Sequence, residues 1–178
     1  MGEVEGYGPL VLDFDPIEEA RRNWVAHGWG DGDAMVAATS ITRAHQILLQ
    51  RINAALAPHG LTFSRFEVLA LLYFSRARAL PMGKIGSRLQ VHPTSVTSLV
   101  DRLVADGYVE RRPHPSDRRT TLAKLTDSGA ELAVTCAGEL EAIEFGLAGL
   151  DADGQAAVST TITELRAEAK DWKSSTST

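Results

Sequence analysis

Arg111, Arg112, Arg118 and Arg119 surround one acid, Asp117, in and around a polar stretch that reads Pro-His-Pro-Ser-Asp. Guanidinium groups held this close repel one another unless an anion meets them, and each offers a planar fork of donors matched to phosphate. An arginine at a hairpin tip can enter the minor groove of a duplex, where narrow A·T-rich stretches concentrate negative potential. Asp117 is placed to brace Arg119 through a carboxylate–guanidinium bond. The plainer alternative is a solvated charged turn that keeps strand edges from pairing with other chains. Clustering of four cations favours the anion-binding reading.

A second group lies just upstream. His92, Pro93, Thr94, Ser95, Val96, Thr97 and Ser98 open a helix with small hydroxyl side chains at its N-terminal end. Such residues permit close approach to a nucleic acid and can bond to phosphates or base edges. A major groove about 12 Å wide admits one helix, with its N-terminal residues nearest the bases. Singly, His92, Thr94, Ser95, Thr97 and Ser98 read equally well as caps and a solvated face; the combination with the arginine hairpin carries the inference.

The formal net charge is −5, which by itself argues against a nucleic-acid partner. Its distribution reverses the argument. Residues 76–124 hold ten Lys/Arg against four Asp/Glu, a balance of +6, whereas the rest of the chain holds eight against nineteen. A local basic face suffices to attract phosphate, and the acidic remainder favours solubility.

These groups need elements to hold them. Asp33 to about Pro58 reads as a long helix with Ile41, Ala44, Leu48, Ile52 and Ala55 on one face. The next helix, over residues 63–76, is apolar nearly all round and is expected at the centre of the core. Either Thr62 or Ser64 caps it, and Ser64 with Glu67 fits a capping box. A short helix at 82–90, a tight turn at Val91 and His92, and a helix from Pro93 to Asp106 ended by Gly107 make a helix-turn-helix. Extended segments at 108–112 and 120–125 flank the polar turn and make a β-hairpin. Helices over 126–146 and 151–172 follow, the last capped by Asp151, with Val158, Ile162, Leu165, Ala169 and Trp172 along one face. The expected fold is mainly α with a small β-hairpin wing: a winged helix-turn-helix domain at 61–125, a helical region at 33–60 and 126–172, an N-terminal arm with a short helix at 1–32, and a disordered tail at 173–178.

The stretch 89–126, with VTSLVDRLVADGYVERRPHPSDRRTTLAKLT, closely resembles the MarR (multiple antibiotic resistance regulator) family. The matching marks are Val-Asp-Arg-Leu in the second helix of the motif, Gly-Tyr-Val-Glu-Arg after it, Asp117-Arg118-Arg119 in the wing, and Leu125-Thr126 closing the hairpin. The order of helices extends the similarity over about residues 33–172. The resemblance implies a homodimer whose outer helices, 33–60 and 126–172, intertwine, with one winged module per subunit on a pseudo-palindromic operator. It implies that Arg119 is the wing-tip arginine, Asp117 its partner, and residues 94–98 the base readers. It also implies a repressor that a small aromatic or phenolic effector releases. A constitutive DNA-binding or protein-interaction module without a ligand is the alternative.

For an effector, the candidate contacts are Trp24, His27 and Trp29 in the N-terminal extension, with Arg43 and His45 on the long helix. Arginine pairs with a carboxylate or phenolate, and tryptophan stacks on aromatic rings. Urate-responsive members of the family carry an acid where Glu67 stands and an arginine where Leu99 stands, so Leu99 departs from their pattern. Cys136, the single cysteine, has no Lys, Arg or His within four residues and reads as a buried, unreactive thiol. One cysteine allows no internal disulfide, which fits a reducing, cytoplasmic setting. The five histidines show no metal-ligand spacing. No phosphate loop, nucleophile elbow or acid/base cluster appears, so neither a cofactor nor an enzymatic activity is expected. No apolar run nears the ~18 residues that cross a membrane, and no secretory signal opens the chain.

Overall fold

The computed structural model describes residues 12–117 and 119–172, which form a mainly helical fold with a small antiparallel sheet. Arg118 and the tail at 173–178, both singled out from the sequence, lie outside the described residues. The chain divides into two compact units, Met1–Ile47 and Leu48–Thr178, a division that falls within one long helix.

In the first unit, α1 (Pro16–Ala26) starts where Asp15 accepts hydrogen bonds from the amides of Ile17 and Glu18 and Pro16 takes the first helical position. Gly28, Gly30 and Gly32 then carry the chain through left-handed backbone to α2 (Asp33–Leu56). Arg21 and Asp33 pair at 2.9 Å across that turn. Ile41 and Ala44, on the predicted apolar face of α2, are exposed.

The second unit holds the core. Ile52 and Leu56, in the last turns of α2, are buried, and a 3-10 turn at Ala57–His59 ends at left-handed Gly60. The central helix, α3 (Phe63–Tyr73), buries Phe66, Val68, Leu69 and Leu72, as its all-round apolar sequence requires. It stops three residues short of the expected end, leaving Tyr73 and Phe74 exposed. No capping box forms at its start. Thr62 takes the cap position without a side-chain bond, Ser64 lies inside the helix, and the Asn53 side chain instead accepts from the Phe63 amide at 2.8 Å.

A short strand that the sequence reading does not contain, β1 (Ala79–Pro81), follows. Then come α4 (Met82–Leu89), α5 (Pro93–Ala105), β2 (Val109–Pro113) and β3 (Thr121–Leu125). The sheet order is β1-β3-β2, fully antiparallel, with Leu80 opposite Ala123 and Arg112 opposite Leu122. Ile85 from α4, Val96, Val100 and Leu103 from α5, and Val109, Ala123 and Leu125 from the sheet close over α3 as one cluster.

Thr126 caps α6 (Asp127–Ala142) by accepting from the Gly129 amide at 3.0 Å. Gly129 packs so tightly on the Tyr108 carbonyl that a Cβ would overlap it. The helix expected to reach residue 146 breaks instead at Ile143, because Glu144 and Phe145 both adopt positive φ, near +50°. Arg51 holds the break by donating to the Gly146 carbonyl at 2.6 Å. The last helix, α7 (Ala152–Glu168), is capped by Asp151 and has no buried residue. Among the described residues, no helix is long and apolar enough to cross a membrane.

Candidate nucleic-acid interface

The start of α5 is fixed by three local devices. The His92 ring accepts from the Thr94 amide at 3.3 Å, Pro93 occupies the first helical position, and Thr97 donates to the Pro93 carbonyl at 3.1 Å. Because Val96, Val100 and Leu103 point into the core, the helical period turns Thr94, Ser95, Thr97 and Ser98 outward, and all four are exposed. His92 is exposed beside them. This end of α5 also carries the positive pole of the helix, which favours anions, although its first amides are engaged locally: Thr94 by the His92 ring, and Ser95 and Val96 by the His92 carbonyl.

The wing places its arginines differently from one another. On β2, Arg111 donates to Asp101 of α5 at 2.6 Å, and Arg112 pairs with Glu110 at 2.6 Å. Two of the four guanidinium groups thus meet carboxylates of their own chain, which the sequence reading did not foresee. Beyond the last ladder rung, where Pro113 faces Thr121, the loop closes on itself: the His114 amide donates to the Thr120 carbonyl, and the Thr120 amide to the Asp117 carbonyl.

Asp117 does not brace the Arg119 guanidinium. Its Oδ1 accepts from the Arg119 backbone amide at 2.9 Å and its Oδ2 from the Thr120 hydroxyl at 2.6 Å. An acid two residues ahead of an amide reaches it through a compact turn, whereas the guanidinium of the same residue lies farther along a flexible stem. These bonds, the Thr120 hydroxyl first, hold the Asp117 carboxyl below the usual carboxylate range. Among the described residues, no carboxylate lies within ion-pair distance of the Arg119 guanidinium.

Arg119 opens onto a cleft of ~700 Å³ that also includes Lys84 from α4, Thr97 from α5, and Arg111 and His114 from the wing. Lys84 and His114 were absent from the sequence-derived site. A cation on the exposed side of α4 was the available signal for Lys84; His114 sat inside the turn and read as turn chemistry. The cleft therefore joins α4, α5 and the wing on one basic face. At the other end of α5, Arg65 of α3 holds a buried Nη1 3.6 Å from Asp106, the C-cap of the helix.

The five candidate effector residues do not form one site. Trp24 spends its indole N–H on the Trp29 carbonyl at 2.8 Å, the two rings meet edge to face at 5.2 Å, and His27 lies 5.9 Å from Trp29. Arg43 lines a separate open cleft with Phe14, Ile17, Thr42 and Gln46, and bonds Gln46 at 3.3 Å. His45 is exposed and belongs to neither group. Burial raises the Glu67 carboxyl above its ordinary value. Cys136 is fully buried, and desolvation, followed by the Glu139 charge, pushes its thiol up to about 11.

Residues 59–120 match the model of the MarR family. The fold is similar to the crystal structure of Sco5413, a MarR family transcriptional regulator from Streptomyces coelicolor. That likeness is 48% identical, with a TM-score of 0.74, covering 79% of this chain and 98% of that one. A cysteine-to-serine mutant of MarR from E. coli, solved in complex with operator DNA, is 26% identical with a TM-score of 0.67, covering 75% of this chain and 96% of that one. Among curated proteins, the regulator MhqR of Bacillus subtilis is 33% identical over 92 residues, 52% of this chain. The chain spans 62% of the length of MhqR and 58% of that of Escherichia coli MarR.

Proposed function

The chain belongs to the MarR family of transcriptional regulators, and from that premise we propose that it binds duplex DNA as a homodimer and represses transcription. One observation carries the reading: Thr97, on the exposed side of α5 that also bears Thr94, Ser95 and Ser98, lines the same basic cleft as Arg119 of the wing, whose guanidinium no carboxylate of the described residues neutralises. A helix for the major groove and an arginine for the adjacent minor groove are what a winged helix-turn-helix brings to a duplex. His92, Arg118 and Lys84 add phosphate contacts in this reading, Arg111 and Arg112 stay paired with Asp101 and Glu110, and Asp117 shapes the loop. The operator complex of the E. coli relative supports the same use of the fold.

The dimer follows from what the single chain leaves uncovered. Val158 and Leu165 are more than 40% exposed on α7, a helix with no buried residue, and Trp172, beyond its end rather than on its face as the sequence predicts, is likewise exposed. A second copy covers such a face through an isologous two-fold contact, which presents two recognition helices about 34 Å apart to a pseudo-palindromic site. Residues 33–60 and 126–172 act as the dimerisation region and 61–125 as the DNA-binding domain, in the cytoplasm. The decisive experiment combines sedimentation with operator binding across a salt series. With about four phosphates held per subunit, the log–log slope is near −7. A monomer whose binding ignores salt would end this reading.

A small aromatic or phenolic effector that releases the DNA is the second half of the proposal. The dispersal of Trp24, His27 and Trp29 from Arg43 and His45 favours the competing view of a constitutive binder. Thermal-shift screening of aromatic acids and phenols, repeated with promoter DNA present, separates them: a ligand that stabilises the free protein and displaces DNA supports release. Persistent binding across the panel supports the constitutive form.

A further inference from the structure

At the end of α7 the chain turns at Lys170, in left-handed conformation with φ +56°, and returns Asp171 toward the helix-turn-helix. Asp171 Oδ1 accepts from Gln90 Nε2 at 2.6 Å, and the same amide nitrogen lies 3.4 Å from the Asp171 carbonyl. Its Oδ2 accepts from Arg166 Nε at 2.7 Å, and the Arg166 guanidinium lies over the Trp172 ring at 5.1 Å. Both carboxylate oxygens are therefore committed, so the group cannot swing away from Gln90 without losing Arg166. Gln90 is no ordinary surface residue. It is the C-cap of α4, at φ +54°, and stands two positions before His92, which caps α5. Glycine would take that backbone conformation at less cost. Glutamine accepts the strain, and the side chain that glycine lacks is the one that reaches Asp171.

We propose that Asp171 is a positioning residue for the recognition helix: it clamps the turn between α4 and α5 to the end of α7. With no residue of α7 buried in the core, the clamp is a polar strut through which a displacement of α7 is passed to α5. The inference rests on the proposed DNA-reading role of α5 only for its affinity readout.

Two measurements on the full chain test it. The first is hydrogen exchange at the amides of Val91, Thr94 and Ser95. In Asp171→Ala and in Gln90→Ala these amides exchange about fivefold faster or more, while amides in α3 are unchanged. Asp171→Asn, which keeps an oxygen facing Gln90, restores most of the protection. Unchanged exchange at the turn, or equal acceleration throughout the chain, overturns the clamp whether or not DNA binds. The second is affinity for a duplex selected by the wild-type protein from a random-sequence pool. Each alanine variant binds about fivefold more weakly, and the double variant no more weakly than either single, because both remove one interaction. Additive losses, or faster exchange with wild-type affinity, overturn the positioning role. Failure of the wild-type protein to select any duplex instead sinks the DNA reading, and exchange alone then decides the clamp.

Discussion

Asp101 of α5 and Arg111 of β2 are joined at 2.6 Å, an ion pair that ties together the two elements proposed to face DNA. The pair is substantially exposed, so its contribution to stability is small, about 0–1 kcal/mol. Its larger effect is on charge available to phosphate. Asp101→Asn releases Arg111, and we expect tighter binding to arbitrary duplexes with a salt slope steeper by about one phosphate per subunit. Fluorescence anisotropy across a salt series reads this directly; an unaltered slope means Arg111 was never available to the backbone.

Arg119 makes the opposite case, since no carboxylate of the described chain neutralises it. Arg119→Ala should weaken operator binding by about tenfold or more, corresponding to ~1–3 kcal/mol for a specific groove contact. The dimer, followed by sedimentation, should be unaffected. Wild-type affinity in this variant would remove the wing from the interface.

Gly129 supplies a test of the fold itself. A methyl group there meets the Tyr108 carbonyl and Leu125 Cδ1, backbone and core that have no room to yield. Gly129→Ala should cost ~1–3 kcal/mol by overpacking, read as a lower urea midpoint. Gly138→Ala, in the same helix with nothing within 4 Å of the new Cβ, should instead gain up to ~1 kcal/mol from helix propensity. Equal effects at the two sites would contradict the packing of α6 on Tyr108.

Cys136 should be inert to alkylation and peroxide at neutral pH. Its thiol, pushed up to about 11 by burial, stays protonated, and the thiolate is the reactive form. The sign for stability runs the other way from a salt-bridged acid. Ionisation is harder in the folded state, so the penalty is absent at neutral pH and grows as pH rises through the ordinary thiol value near 9. Mass spectrometry after iodoacetamide treatment checks the first point; rapid labelling of folded protein would contradict the burial.

Much of this was legible because helix ends are marked locally. Pro93, Gly107, Thr126 and Asp151 announce their roles in the sequence, and the structure puts them at the ends of α5, α6 and α7 as expected. The strand at Ala79–Pro81 was not legible, since three residues show no alternation and the strand exists only through pairing with β3. Nor was the break at Glu144 and Phe145, where non-glycine residues are held in left-handed backbone by a bond from the distant Arg51. At the wing, the arginine cluster was visible but its wiring was not. Composition cannot tell that Asp101 and Glu110 engage Arg111 and Arg112, or that Asp117 turns to an amide rather than a guanidinium. The effector residues dispersed because sequence proximity of Trp24 and Trp29 reports their contact with each other, not with a ligand.

The wing is anchored at its base by a three-stranded ladder, but past the rung from Pro113 to Thr121 the bonds that shape it, among the described residues, are the loop's own. Base and tip are consequently separable inheritances. Residues 114–120 can lengthen, shorten or change charge without unpicking the hydrophobic interior, so a lineage can retarget its promoters by rewriting a few codons at the tip while the scaffold stays the same.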